Sequence, residues 1–482
     1  MKKKIKSDGI YFLGEAANDV TGSQYLVRFG DYQCLLECGL HQSSNNDYLD
    51  SYKVNAQKFK FKPCEIDYVF VAHAHIDHCG LLPKLVKEGF RGQIITTYET
   101  AVIMKALLLN CAYIVADEAK IISKRYNRNY PPLYTEEDVY DTFDLIKIYD
   151  KYDVLYYLND NIHFQWLKNS HCLGAAQLNL ILKDEMRTKK ILYTSDLGAL
   201  HTRNHYVPNT EIPQNFNDIT IMESTYGNRP KVGTKKQRET DLKHLKTAIE
   251  TVIERKGTVI LPCFSFNRTQ EILTNLYEIF GKDKQFRAPI IVDSVLSCEI
   301  CDLYTEILKG ECINLWSKVC AWNNVSFITD KEQSREIIEN TSPKIIISSS
   351  GFCTNGRIVN YLKKYLADRN SMIIFLGYVG DNPSYLSYRI KNYHEHKTIK
   401  INKENVPNRA DCISLSTFSS HANFNDLTMY GSQLNTNKLV LVHGSSESKA
   451  CLAKELQKQI SENDKSYKVV ISNKGMVIHF GG

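Results

Sequence analysis

Over the first 200 positions, apolar residues come in short runs broken by turn residues, as in Tyr25-Leu26-Val27, Cys34-Leu35-Leu36 and Tyr68-Val69-Phe70-Val71-Ala72. Runs this short, bounded by polar stretches, predict strands and therefore sheets. A helical pattern follows from about residue 100 to 126 and stops at the polar turn Asn129-Tyr130-Pro131-Pro132. From about 240 to 480 the rhythm changes. Val259-Ile260-Leu261, Ile290-Ile291-Val292, Ile345-Ile346-Ile347, Ile373-Ile374-Phe375 and Leu439-Val440-Leu441-Val442 alternate with helical stretches, which predicts α/β units on a mostly parallel sheet. Polar residues and prolines gather at 226–230 and 403–409. The expected segments are therefore 1–226, 227–405 and 406–482.

The 482 residues leave room for three domains of about 150 residues or two larger ones. With 43% hydrophobic and 24% charged residues, the chain can bury a sizeable core, and its composition excludes a disordered or collagen-like protein. A net charge of +6 permits a polyanionic partner without requiring one. Fourteen cysteines are scattered from Cys34 to Cys451 without a regular framework, which predicts reduced thiols and a cytoplasmic protein. Cys298-Glu299-Ile300-Cys301 lacks a second pair, so buried thiols are expected there in place of a structural zinc site. The basic opening turns polar at Ser7-Asp8-Gly9, where a secretory segment would turn apolar. No apolar run is read as approaching the roughly 18 residues that span a bilayer, so no membrane partner is expected. Without repeats or low-complexity tracts, function has to reside in local constellations.

The most informative constellation is Val71-Ala72-His73-Ala74-His75-Ile76-Asp77-His78-Cys79-Gly80, at the end of an apolar run. A turn at a strand end can aim three imidazoles and a carboxylate at one point, and that donor set suits Zn(II) or another borderline divalent ion. A surface histidine cluster is the plainer alternative. Four ligands within six residues would strain around a single catalytic ion, so a second ion and further ligands at other strand ends are expected. Three stretches supply them: Ser170-His171-Cys172-Leu173-Gly174, Thr194-Ser195-Asp196-Leu197-Gly198 and Val442-His443-Gly444. Each alone reads as structural; the set carries the argument.

The spacing His73-x-His75-x-Asp77-His78 resembles the signature of the metallo-β-lactamase superfamily. Met222-Glu223-Ser224-Thr225-Tyr226-Gly227, Phe418-Ser419-Ser420-His421-Ala422 and His443-Gly444 resemble motifs A, B and C of its β-CASP nuclease branch. That branch includes the endonuclease subunit of the cleavage-and-polyadenylation factor and its bacterial and archaeal relatives. The resemblance implies a four-layer αββα metallo-β-lactamase fold built from both ends of the chain, with an inserted α/β β-CASP domain. It implies two Zn(2+) ions: His73, His75 and His171 on one, Asp77, His78 and His443 on the other, Asp196 between them. It also implies catalysis by His421, Glu223 and Asp77, with hydroxide attacking phosphorus and His421 as general acid oriented by Glu223. The implied activity is endonucleolytic cleavage of single-stranded RNA, with 5′-exonuclease action also in the family's range, leaving 5′-phosphate and 3′-hydroxyl ends. RNA is preferred because relatives acting on RNA tend to have His at the position of His443. A DNA nuclease and a non-catalytic scaffold subunit of an RNA-processing complex are the alternatives; retention of all seven candidate ligands argues against the scaffold. Between a homodimer and RNA-processing partner subunits the sequence does not choose.

Some positions depart from the family pattern. Glu37 stands after its strand where Asp is usual, and one extra methylene shifts a carboxylate by about 1.5 Å, enough to disturb how it orients ligand imidazoles. That bears on activity more than on metal binding. Asn267 replaces a usual Gly, Asn423 a usual Asp, and Ser445-Ser446 a usual acid. Arg268 and Arg357, with Ser419 and Ser420, are the candidate substrate contacts, because guanidinium suits phosphate; ordinary ion pairs would explain either arginine as well. Arg229, Lys231, Lys235, Lys236 and Arg238 read as a solvated helix face sooner than as a nucleic-acid channel. His394-Glu395-His396 is expected to be exposed.

Overall fold

The computed structural model describes residues 7–43, 47–201, 204–229, 235–380, 382–393, 397–463 and 465–480. Lys231 and His394-Glu395-His396 lie outside them. Two seven-stranded sheets face each other. Across the first, the order is Val477–His479, Gly9–Phe12, Tyr25–Phe29, Tyr32–Leu36, Tyr68–Phe70, Gln93–Thr96 and Ile146–Ile148. Across the second, it is Lys468–Ile471, Thr436–Val442, Asn217–Glu223, Thr188–Tyr193, Ala176–Lys183, Ile162–Lys168 and Tyr156–Tyr157.

The period of two along each strand sorts the side chains into layers. Ile10, Phe12, Val27 and Phe70 from one sheet meet Phe164, Trp166, Leu178, Leu180, Ile221 and Val440 from the other in a shared core. Residues of the opposite parity face outward under helices. Leu26, Leu35, Val69 and Ile94 join a cluster with the helices Leu82–Lys87 and Tyr98–Tyr126, while Leu192, Met222, Leu439 and Leu441 pack with Phe424–Gln433 and Ser446–Glu462. The layers are thus αββα, as expected. Gly9–Phe12 pairs with Val477–His479, and Thr436–Val442 runs parallel to Asn217–Glu223 with Glu223 opposite Val442. Segments from either side of the insert therefore build one unit.

The inserted sheet has six strands in the order Val325–Ile328, Ile290–Asp293, Lys344–Ser348, Thr258–Pro262, Met372–Leu376 and Asp411–Leu415, all pairs parallel. Here the expected boundary at 405/406 needs correction. It falls inside Glu404–Pro407, which forms a hairpin with Thr398–Ile401, and Asp411–Leu415 still pairs with the insert. The polar residues at 403–409 mark that hairpin and the link after it, and the return to the first unit comes after Leu415.

A second correction concerns the helix Tyr98–Tyr126. Its 29 residues include a window with mean hydropathy 1.5, long and apolar enough to cross a membrane, contrary to the sequence expectation. Over half of that window is buried: Ile103, Leu107, Leu108 and Val115 share one cluster with Ile300 and Tyr304 of the insert. In this fold its apolarity serves to weld the insert to the first unit.

Candidate metal centre and catalytic cleft

Every candidate ligand sits at or just past the end of a strand. The strand Tyr68–Phe70 leads to His73 and His75, and the single-turn helix Ile76–Cys79 then folds Asp77 and His78 back. His171 lies between Ile162–Lys168 and Ala176–Lys183, Asp196 follows Thr188–Tyr193, and His443 directly follows Thr436–Val442. Glu37, Ser195 and His443 have positive φ (59°, 52° and 50°), a conformation uncommon outside glycine that lets a chain leaving a strand turn sharply toward the site.

The donor atoms of His73, His75, His171 and Asp196 all lie within 4.8 Å of one another, as do those of Asp77, His78, Asp196 and His443. Asp196 belongs to both groups, and its two oxygens divide between them. Oδ2 is 3.8 Å from His73 Nε2 and 3.7 Å from His171 Nε2, whereas Oδ1 is 3.3 Å from His78 Nε2 and 3.3 Å from His443 Nδ1. All of these side chains except His75 and Asp77 are buried.

The chemistry of the two groups fits divalent cations. Among the described residues, the ion-pair partners of Glu37, Asp77 and Asp196 are all imidazoles. His73 Nε2, His78 Nε2, His443 Nε2 and Asp196 Oδ1 are buried with no hydrogen-bond partner, which buried polar atoms rarely tolerate. Burial and neighbouring imidazoles hold His73 and His171 well below the ordinary histidine range, and burial brings His75 down to about 4. Neutral imidazole is the form that offers a lone pair to a metal. Burial pushes Asp196 up, yet His443 and His78 outweigh it and hold the carboxyl well below its usual range.

Four residues to which the sequence assigned no role at the site shape this centre. The Ser195 hydroxyl donates to Glu37 Oε1 at 3.1 Å, so its oxygen takes the Nδ1 proton of His73, also 3.1 Å away; that leaves Nε2 of His73 as the free nitrogen. Glu37 also accepts from the Ala72 amide and lies 3.5 Å from His78 Nδ1. The longer side chain of Glu37 thus reaches two ligand histidines, one of them through Ser195. Asn169 Oδ1 accepts from the amides of His171 and Gly198, and its Nδ2 donates to Asp196 O at 2.7 Å, tying two ligand loops together. Thr225 Oγ1 donates to His443 O and lies 3.0 Å from His443 Nδ1. The fourth, Asn267, has φ 67° where an ordinary glycine would serve. Its Nδ2 donates to His171 O and to Ser420 Oγ, so this substitution makes a bridge from the insert to the metal loop.

Beside the centre, His421 Nδ1 is 3.1 Å from Glu223 Oε1. The Glu223 carboxylate is buried and fixed by two amides, Leu197 N on Oε1 at 2.8 Å and Thr225 N on Oε2 at 2.9 Å. Burial works against a charged His421, but the adjacent Glu223 prevails and raises it to about 9. The imidazole of His421 is 4.7 Å from that of His171, centre to centre. A narrow cleft opens here, lined by His171, Tyr226, Asn267, Ser419, Ser420 and His421.

The arginines behave differently from each other. Arg357 does not face this cleft as a phosphate contact: Nη1 pairs with Asp293 Oδ1 at 2.5 Å and also donates to Ile328 O, and Nη2 donates to Thr329 O. Its charge is spent inside the insert. Arg268 opens the helix Arg268–Phe280 and is almost buried; Nη1 donates to Leu376 O at 2.9 Å while Nε has no partner. The described part of the basic stretch is not uniform. Lys236 is exposed, but Arg238 is buried on Glu271, Asn275 and Thr417 O and lies over the Phe418 ring. Cys298 and Cys301 are buried free thiols, and no described cysteine is in a disulfide.

Comparison with known proteins agrees with this architecture. Residues 17–114 match the metallo-beta-lactamase superfamily, 269–383 the Beta-Casp domain and 405–471 the Zn-dependent metallo-hydrolase RNA specificity domain. The chain is 29% identical over 461 residues to ribonuclease TTHA0252 of Thermus thermophilus, covering 92% of this chain and 94% of that protein. It is 25% identical to Integrator complex subunit 11 of Danio rerio, across 92% and 71% of the two chains. Endoribonuclease YSH1 of Candida glabrata is 23% identical across 92% of this chain, which spans only 56% of that longer protein. A crystal structure of an Enterococcus faecalis protein of unknown function superposes with a TM-score of 0.55 at 14% identity over 98% of this chain and all of that one, a likeness of fold alone. The three matched regions fall in order along one chain and hold five of the seven donors, all but His171 and Asp196, and the chain belongs to the β-CASP branch of the metallo-β-lactamase superfamily.

Proposed function

We propose that this protein is a zinc-dependent ribonuclease that cuts single-stranded RNA internally and leaves 5′-phosphate and 3′-hydroxyl ends. The observation that carries the reading is the meeting of two donor groups at Asp196 with the His421–Glu223 pair alongside. Relatives bearing the names ribonuclease and endoribonuclease support it. Two zinc ions, held by His73, His75, His171, Asp196, Asp77, His78 and His443, would supply hydroxide near neutral pH and neutralise charge gathering on a phosphate. The remaining work falls to side chains. Asp196 presents one oxygen to each donor group and so sets their separation, and Ser195 with Glu37 fixes the aim of His73 and His78. His421 engages Glu223 through Nδ1 and has Nε2 left to give a proton to the departing 3′-oxygen, in the charged form that Glu223 favours. Ser419, Ser420 and Asn267 line the approach.

The test is direct. Purified protein is incubated with end-labelled single-stranded RNA and DNA of identical sequence, with and without a chelator, and the ends are analysed. RNA cleavage that stops on chelation and leaves 5′-phosphates is expected; preference for DNA, or cleavage that survives chelation, overturns the reading.

A further inference from the structure

The wall of the cleft that leads away from His421 is aromatic, and nothing in the chemistry above uses it. The Tyr226 ring lies 5.7 Å from the imidazole of His421. The Arg229 guanidinium sits 4.8 Å from the centre of that ring and 4.8 Å from the centre of Tyr378, clasped between the first unit and the insert. From Tyr378 the line continues to Phe352 at 6.2 Å, then to Phe264 at 5.2 Å and Tyr385 at 4.9 Å. Tyr226 is buried, but the rings beyond it are open: Phe264 is 45% exposed, Tyr378 37%, and Phe352 and Tyr385 are half-buried. Two of them are seated on glycine. A Cβ at Gly351 would stand 3.0 Å from the Phe264 ring, and one at Gly380 would stand 2.6 Å from the Tyr385 ring. The Tyr385 hydroxyl also reaches Ser43 O, which ties the line back to the first unit.

Exposed rings in a row, with a guanidinium among them, are what an unpaired polynucleotide needs. Every base has a π-face, so stacking holds a strand without selecting its sequence, and arginine adds attraction for the phosphates between. We propose that Arg229, seated on Tyr226, and the rings of Tyr378, Phe352 and Phe264 form a stacking rail for single-stranded RNA on the 5′ side of the scissile phosphate. The side follows from the ribonuclease reading, on which this rests: His421 protonates the 3′-oxygen that leaves, that oxygen belongs to the upstream nucleotide, and the rail starts beside His421. The rail accounts for the paradox that a chain of charge only +6 would grip a polyanion, since part of the grip is on bases.

Binding is measured on zinc-free full-length protein by fluorescence anisotropy, with a 16-nucleotide RNA and the same backbone made fully abasic. Phe352→Ala and Tyr378→Ala should each weaken RNA binding about tenfold, the scale of losing one stacked base, and leave the abasic chain unaffected. Phe352→Trp should restore binding. If Phe352→Ala melts at a lower temperature, Phe352→Leu, which keeps the bulk without the aromatic face, replaces it. In an RNA whose cut has been mapped, two abasic sites just upstream of the cut should reproduce the loss, and two just downstream should not. Unchanged binding by both variants, equal losses on both chains, or loss only from downstream sites overturns the proposal. Hydrolysis of bis(p-nitrophenyl) phosphate by the unaltered zinc-loaded protein tests the ribonuclease reading separately: its absence sinks that reading, whereas the abasic comparison decides the rail either way.

Discussion

Two buried aspartates stand at strand ends in this molecule, and they have opposite surroundings. Asp293 closes the strand Ile290–Asp293 in the insert and is saturated: Oδ1 takes Arg357, and Oδ2 takes Ser334 at 2.5 Å and Tyr361 at 2.6 Å. The Asp196 carboxylate, at its loop in the sandwich, meets only imidazoles at 3.3 to 3.8 Å, and its Oδ1 accepts no hydrogen bond. A buried carboxylate is tolerable when it is paired or when it holds a cation. Asp293 has taken the first solution and Asp196 is arranged for the second. Position at a strand end, which both share, does not separate a site from a brace; the inventory of partners does.

The sharpest way to break this comparison is to remove each carboxylate. Asp196→Ala should lower RNA cleavage by about 10³-fold or more, the scale of several kcal/mol of lost charge stabilisation, and should reduce bound zinc measured by elemental analysis. Asp293→Ala should leave zinc content unchanged and cost about 3–5 kcal/mol in urea unfolding, because Arg357 keeps its charge without its partner. Exchanged outcomes would mean that the two sites have been read the wrong way round.

Smaller changes test the parts around Asp196. His421→Ala should reduce kcat by about 10²–10⁴-fold while zinc content stays at the unaltered level; a loss of zinc would move His421 from proton donor to ligand. Ser195→Ala should weaken zinc affinity by about 10–100-fold, read by competition with a chromophoric chelator, since it frees His73 from Glu37. The least conspicuous effect is on pH. His421 is raised to about 9, so its acid form persists through neutrality, and activity should fall as pH rises through about 9. In Glu223→Gln that alkaline limb should move down toward the ordinary histidine value of about 6.5; a limb that stays in place would show that Glu223 does not hold the proton on His421.

What the sequence made legible follows the same divide. The cluster at His73 to His78 is contiguous, so one strand-end reading locates it, and the alternation of short apolar runs is enough to place most strands. His171, Asp196 and His443 could be gathered only as a set, since the turns that aim them depend on pairings such as Glu223 with Val442. Arg357 stayed open between phosphate contact and ion pair for a similar reason: its partner lies 64 residues away, and an arginine after a strand looks the same whether or not a carboxylate is waiting. Asn169, Ser195 and Thr225 carry no signal of their own, because a small polar residue acts through hydrogen bonds that only the fold creates. Asn267 did carry one, as an exception in a place that ordinarily holds glycine. The strand Asp411–Leu415 was lost to the polar stretch before it, which punctuates a hairpin and not a domain.

The parallel placement of Thr436–Val442 beside Asn217–Glu223 also has a temporal side. Domains emerge from the ribosome N-terminus first, and six of the seven donors, up to Asp196, precede the insert while His443 follows it, as does His421. The nascent chain therefore cannot complete the second donor group, or the His421–Glu223 pair proposed as proton donor, until nearly all of it has been translated. On the proposed function, an enzyme made on RNA is, by its strand order, incompetent to cut RNA for most of its own synthesis.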